Sequence, residues 1–240
     1  MKKISFLVIA FALFTTNWLA AQTKTINDPN AESRAVSGFH AIKVSNGIEL
    51  YITQGSSESL AVSASTTEYR NKIKTEVVNG VLKIYYDNNN WGNWSSKGKN
   101  LKAYLSFTQL DMLNGSSGAG IIVEGKIKTN NLSMDLSSGA DFNGMVEAAT
   151  LTIDESSGAD MNINGSVKNL TVVVSSGADF KGFDLIAEIC KADASSGGGI
   201  NVNVSNDLTA DASSGGGIHY KGAATISKFS KSSGGSVKKV

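Results

Sequence analysis

Seven Ser-Ser-Gly tripeptides recur through the second half of the chain, with their glycines at Gly118, Gly139, Gly158, Gly177, Gly197, Gly215 and Gly234. The successive spacings are 21, 19, 19, 20, 18 and 19 residues. Such a period belongs to repeat architectures, in which a unit that cannot bury its own apolar face stacks on its neighbours. Aligned on these glycines, the third residue after each is Ile121, Phe142, Met161, Phe180, Ile200, Ile218 and Val237, all apolar. The fifth residue before each is Leu113, Met134, Ile153, Val172, Ala192, Ala210 and Phe229, again without a polar exception. Two residues further back, the middle five repeats carry Leu132, Leu151, Leu170, Cys190 and Leu208.

These positions differ by even numbers, so they share one face of extended chain. Apolar residues at spacing two, among β-branched and glycine-rich neighbours, do not make a helical stripe. About nineteen residues suffice for two strands and two bends, which is one coil of a β-solenoid. The expected fold is therefore all-β: a single-stranded parallel β-helix of about seven Ser-Ser-Gly coils, roughly 30 Å long, with right-handed crossover as the usual hand. The corners explain the tripeptide. Glycine accepts backbone angles that other residues resist, and serine is small and can hydrogen-bond its own turn. By parity, the second serine and the Ala or Gly after the motif face inward. Cys190 stands where neighbouring coils carry Leu and reads as a small buried hydrophobe.

Residues 35–110 are β-rich but less regular, and read as an N-terminal cap with the first coils, ahead of the repeat at 111–240. Ser45-Asn46-Gly47 looks like an altered corner, between Ile42 and Val44 on one side and Ile48, Leu50 and Ile52 on the other. Asn79-Gly80 marks a hairpin turn. Pairing Val78 with Val81 puts Ile73, Val77, Leu82, Ile84 and Tyr86 on one face and sets Glu76 opposite Lys83. Leu101, Ala103, Leu105 and Phe107 alternate in a further strand. Residues 1–21, with Lys2-Lys3, an apolar run from Ile4 to Phe14 and Ala20-Ala21, read as a signal peptide, and 22–34 as a linker. The apolar run is too short to span a bilayer, so the mature chain is expected to be exported, to periplasm or cell surface, with no membrane span. One cysteine excludes an internal disulfide. Lys and Arg total 22 against 21 Asp and Glu, so nothing points to nucleic acid.

Chemistry has few places to reside. The second residue after the glycine is Asp141, Asp160 and Asp179 on three consecutive coils, facing outward as a stacked row. Turn aspartates bonded to nearby amides are the first reading. Calcium is the alternative, but calcium-binding coils carry Asp on every repeat and a second glycine pair. Trp91 and Trp94, in a polar loop, could stack on sugar rings or plug the end of the rod. A nucleophilic serine needs a base, and the chain has only His40 and His219. No catalytic residue, metal or cofactor is expected.

Arg34-Ala35-Val36-Ser37-Gly38-Phe39, Gly47-Ile48-Glu49-Leu50, Gln54-Gly55 and the Ser-Ser-Gly-Ala-Asp series at 137–141, 156–160 and 175–179 resemble the auto-transporter adhesin head domain, or GIN domain, of Bacteroidetes. The likeness covers the chain from about residue 34 onward. It implies a β-helical exported protein acting in adhesion or at the cell envelope, with no catalytic residues to carry over. No translocator barrel is visible in the sequence, a departure from what that name implies about export. The leading expectation is a non-enzymatic adhesin-like binding or scaffold module that presents a polar solenoid face to a glycan or cell-surface protein. One rival is a carbohydrate-active enzyme, a lyase or hydrolase, that uses the outward aspartates. Another is a structural spacer that self-associates as a homo-oligomer through its C-terminal end, although Lys238 and Lys239 discourage strand addition there.

Overall fold

A computed structural model describes residues 28–87 and 97–240. The N-terminal part contains β1 (Glu32–Arg34), β2 (Ala41–Val44), β3 (Glu49–Gln54), β4 (Ser59–Ser63), α1 (Thr67–Asn71), β5 (Ile73–Val78), β6 (Val81–Tyr86) and β7 (Lys102–Phe107). Then follow β8 (Met112–Gly115), β9 (Gly120–Leu136), β10 (Asp141–Glu155), β11 (Asp160–Val174), β12 (Asp179–Ala194), β13 (Gly199–Ala212), β14 (Gly217–Lys221), β15 (Thr225–Lys231) and β16 (Ser236–Lys239). From β9 onward each long strand is one coil, paired in parallel with the next. The fold is an all-β solenoid of about seven turns.

Each coil turns inward positions into columns. Ile121, Phe142, Met161, Phe180, Ile200 and Ile218 pair in register from coil to coil and are all buried. Leu132, Leu151, Leu170, Cys190 and Leu208 make a second buried column. Parity breaks twice per coil. In β11 the inward residues Met161, Ile163 and Val167 are followed by two outward ones, Lys168 and Asn169, before Leu170, Val172 and Val174 resume. The second break is the Ser-Ser-Gly corner.

At every corner the second serine and the glycine both adopt positive φ, as at Ser157 (54°) and Gly158 (70°). Two left-handed residues in succession, closed by Ala159 N–H donating to the Ser156 carbonyl at 3.2 Å, make a type I′ turn. This corrects the inward placement of the second serine, which is exposed in the 157, 176 and 196 corners. The left-handed pair resets the alternation, so that only the following Ala or Gly is buried. Corners are joined by backbone: Gly158 N–H donates to the Ser176 carbonyl at 3.2 Å, and the same bond recurs from Gly47, through Ser117, to Gly215. Ser45-Asn46-Gly47 is thus a true member of the stack, with Asn46 at φ 62°. Corners followed by Ala close at 3.1–3.2 Å, and those followed by Gly198, Gly216 and Gly235 at 2.7–2.8 Å. In the tighter turns a Cβ would meet the carbonyl of Val174, Ala194 or Ala212 on the preceding coil. No atom lies within 4 Å of a Cβ added at Gly158, so Gly158→Ala should cost about 1–2 kcal/mol from backbone strain alone. Chemical denaturation would measure it.

Stacking order departs from chain order at the N-terminal end. β2 lies between β6 and β8, and β3 between β7 and β9, so the chain starts one layer in, builds the layer outside it, and then returns. The β5–β6 hairpin has the expected register, Val78 opposite Val81 and Glu76 opposite Lys83. Beyond β7, the antiparallel strands β4 and β1 continue the sheet at that end. α1 begins at Thr66, whose hydroxyl accepts from the Tyr69 amide at 3.2 Å. No helix of the described residues is long and apolar enough to cross a membrane.

Candidate functional site

Parallel register turns outward positions into straight rows as well. The first row after the corner runs Glu49, Gly120, Asp141, Asp160, Asp179, Gly199, Gly217 and Ser236. Two residues on runs a parallel row: Tyr104, Tyr51, Ile122, Asn143, Asn162, Lys181, Asn201, His219 and Lys238. One flat face therefore presents carboxylates beside carboxamides at about 4.8 Å intervals along the rod.

Lys181 supplies the positive charge of this face. Its ammonium donates to Asp160 and lies 3.9 Å from Asp179, and these partners raise its own pKa. Asp141 is held above the usual carboxylate range by partial burial and the Asp160 charge, with Lys181 opposing. At the N-terminal end of the face the Tyr51 and Tyr104 rings stack, with centroids 5.3 Å apart and planes 17° from parallel. The Lys102 ammonium lies 5.9 Å from the centroid of Tyr51, and the Tyr104 hydroxyl donates to Asp28 at 2.9 Å. Burial and the neighbouring Glu49 push the Tyr51 hydroxyl up to about 12.

Behind the face is Glu155, an inward residue between Leu136 and Val174. It is 0% exposed, and neither carboxylate oxygen has a hydrogen-bond partner. Burial, then the charges of Asp160 and Asp179, push it up to about 8, with Lys181 opposing. Cys190 is buried as expected, and burial raises its thiol to about 12, which suppresses the reactive thiolate.

The structure thus brings Asp141, Asp160 and Asp179 together. Trp91 and Trp94 lie outside the described residues. Among the described residues no group of three or more His, Cys, Asp or Glu is arranged to hold a metal ion. His40 binds Asp111 through Nδ1 at 2.9 Å, while His219 stands in the amide row. The second aspartate series was missed from the sequence: Asp135, Asp154, Asp193 and Asp211 form an outward row on the strands before the corner, interrupted by Val173. So were Asn143, Asn162 and Asn201. The same glycine alignment, read at the fourth residue before and the fourth after each glycine, contains both.

A family model described as "Putative auto-transporter adhesin, head GIN domain" matches residues 38–224. Among solved structures, the chain is similar to a protein from Bacteroides fragilis described as a putative adhesin, at 18% identity over 88% of this chain and 96% of that one, TM-score 0.77. It is also similar to one from Parabacteroides distasonis described as a putative lipid binding protein, at 23% identity over 89% and 98%, TM-score 0.69. A third, described as a putative adhesin from the same species, has 17% identity over 88% and 96%, TM-score 0.66. At these identities the likeness concerns the fold. No curated protein matches the chain.

Proposed function

This chain belongs to the head GIN domain family, and on that premise we propose that it is an exported, non-enzymatic, adhesin-like binding module whose flat face engages a glycan or a cell-surface protein. The carrying observation is two adjacent in-register rows, Asp141, Asp160 and Asp179 in one and Asn143, Asn162, Lys181 and Asn201 in the other. Carboxylates accept and carboxamides both donate and accept, so the face can bond a run of hydroxyls or backbone amides. Each contact is weak, but a polymer that meets several coils at once adds them. The leader expected at 1–21 and the linker expected at 22–34, whose last three residues are strand β1 of the sheet, precede a cap and first coils at 35–110 and the repeat at 111–240. This order supports an address in the periplasm or at the cell surface.

The rival is a carbohydrate-active enzyme that uses the same aspartates as acid and base. The two readings separate in one comparison. The chain and its Asn143→Ala/Asn162→Ala/Asn201→Ala and Asp141→Ala/Asp160→Ala/Asp179→Ala variants are applied to glycan and surface-protein arrays, and then to a polysaccharide panel. Binding lost in both variants at an unchanged melting midpoint, without turnover, is the expected result. Polysaccharide cleavage abolished by the aspartate variant would establish the enzyme instead.

A further inference from the structure

Charge is segregated along the chain. All 21 acidic residues precede residue 212, whereas residues 212–240 hold Lys221, Lys228, Lys231, Lys238 and Lys239 and no acid. This stretch builds β14, β15 and β16. β15 pairs with β13 and β16 with β14, and no strand among the described residues covers their far edges.

The core columns change character in this layer. Below Leu208 and Ala210 come Ile226 and Phe229, and below Ala212 comes Lys231. Below Val202 and Tyr220 comes Lys239. Ile226 is 37% and Phe229 46% exposed, although their column neighbours are buried. The Lys231 ammonium lies 5.9 Å from the centroid of the Phe229 ring. Apolar side chains and lysines are therefore interleaved on one end of the rod.

We infer that this end is a docking face for an anionic lipid surface. Phe229 and Ile226 enter the headgroup boundary, and Lys228, Lys231, Lys238 and Lys239 pair with lipid phosphates. A soluble polyanion would use the lysines but leave the two apolar side chains in water. A second copy docked through the same end would set lysine against lysine. Seated in this way, the rod stands on the membrane and displays its aspartate and asparagine rows along its length. The inference does not rest on what those rows bind.

The test is co-sedimentation of the protein, purified after export by its host, with vesicles of phosphatidylcholine alone or with phosphatidylglycerol added. Binding is expected only with the anionic lipid and should fall with added salt. Lys231→Glu/Lys238→Glu/Lys239→Glu should lower the bound fraction at least about tenfold, while the corresponding Lys→Arg variant retains it. Ile226→Ser/Phe229→Ser should lower vesicle binding too, and melting midpoints verify that each variant is folded. Equal binding to both vesicle types, or a charge variant that binds as well as the parent, overturns the inference. Capture by dextran sulfate with no vesicle binding assigns the face to polyanions and also overturns it. So does a concentration-dependent mass that the charge variant abolishes, which assigns the face to a second copy. The aspartate and asparagine variants should leave vesicle binding intact, so failure here is distinct from failure of the glycan or protein reading.

Discussion

Replacing Glu155 by leucine should raise the stability of the protein at pH 7 by on the order of 3 kcal/mol, an unusual gain for a single substitution. Glu155 is enclosed between Leu136 and Val174 with both oxygens unpartnered, so its ionised form has nothing to offset the loss of hydration. Its folded pKa of about 8 lies above the ordinary 4.5. Between those values the folded state retains a proton that the unfolded state has released. The contribution of Glu155 to stability is therefore most favourable below about pH 4.5, falls as pH rises through the window, and levels off above about 8. The full loss is on the order of 5 kcal/mol. Glu155→Gln should remove this slope but keep a buried amide without a partner, and so gain less than Glu155→Leu. Urea titrations of the three proteins at intervals from pH 4.5 to 8.5 measure both effects. A parent protein as stable at the top of that range as at the bottom would contradict the burial of this carboxyl group.

The opposite effect is expected at Phe180. Its ring is fully buried between Met161 on one coil and Ile200 on the next. Phe180→Ala removes the ring from a column whose neighbours are fixed by two sets of interstrand hydrogen bonds, so the cavity cannot close. A loss of about 3–5 kcal/mol follows. One residue further along β12 the side chain points outward, and Lys181→Ala should cost less than about 1 kcal/mol, since its ion pairs are exposed. This sharp alternation between adjacent positions is what a one-sided strand requires. Comparable losses at 180 and 181 would mean that the columns are not dry.

How much of this was visible beforehand depended on how local each signal was. The inward columns, the Ser45-Asn46-Gly47 corner, the Val78–Val81 register and the burial of Cys190 all follow from a period of two and a fixed glycine, and the sequence carries both directly. The second serine was misplaced because parity was carried through the corner, whereas two successive left-handed residues interrupt it. The crossing of β2 between β6 and β8 was hidden because nothing in a linear sequence says which strand a long excursion will rejoin. α1 is one short turn behind a threonine cap, too brief for a periodic signal. Glu155 was passed over for a different reason. It sits one position from the corner, at a site where the neighbouring coils carry Leu136, Val174, Ala194 and Ala212, and an alternating pattern tolerates one polar residue without losing its phase.

Distances between outward residues of successive coils test the stacking itself. Nitroxide labels in the amide row, introduced by cysteine substitution in a Cys190→Leu background, can be placed at Asn143 with His219 or Lys238, and at Tyr51 with Lys238. Pulsed electron spin resonance should then give separations that grow by about 4.8 Å for each coil crossed, so that four, five and seven steps stand near 19, 24 and 34 Å, apart from a common linker offset. Separations that fail to increase with the number of coils, or that scatter broadly at each pair, would contradict a rod built from windings of one ribbon in parallel register.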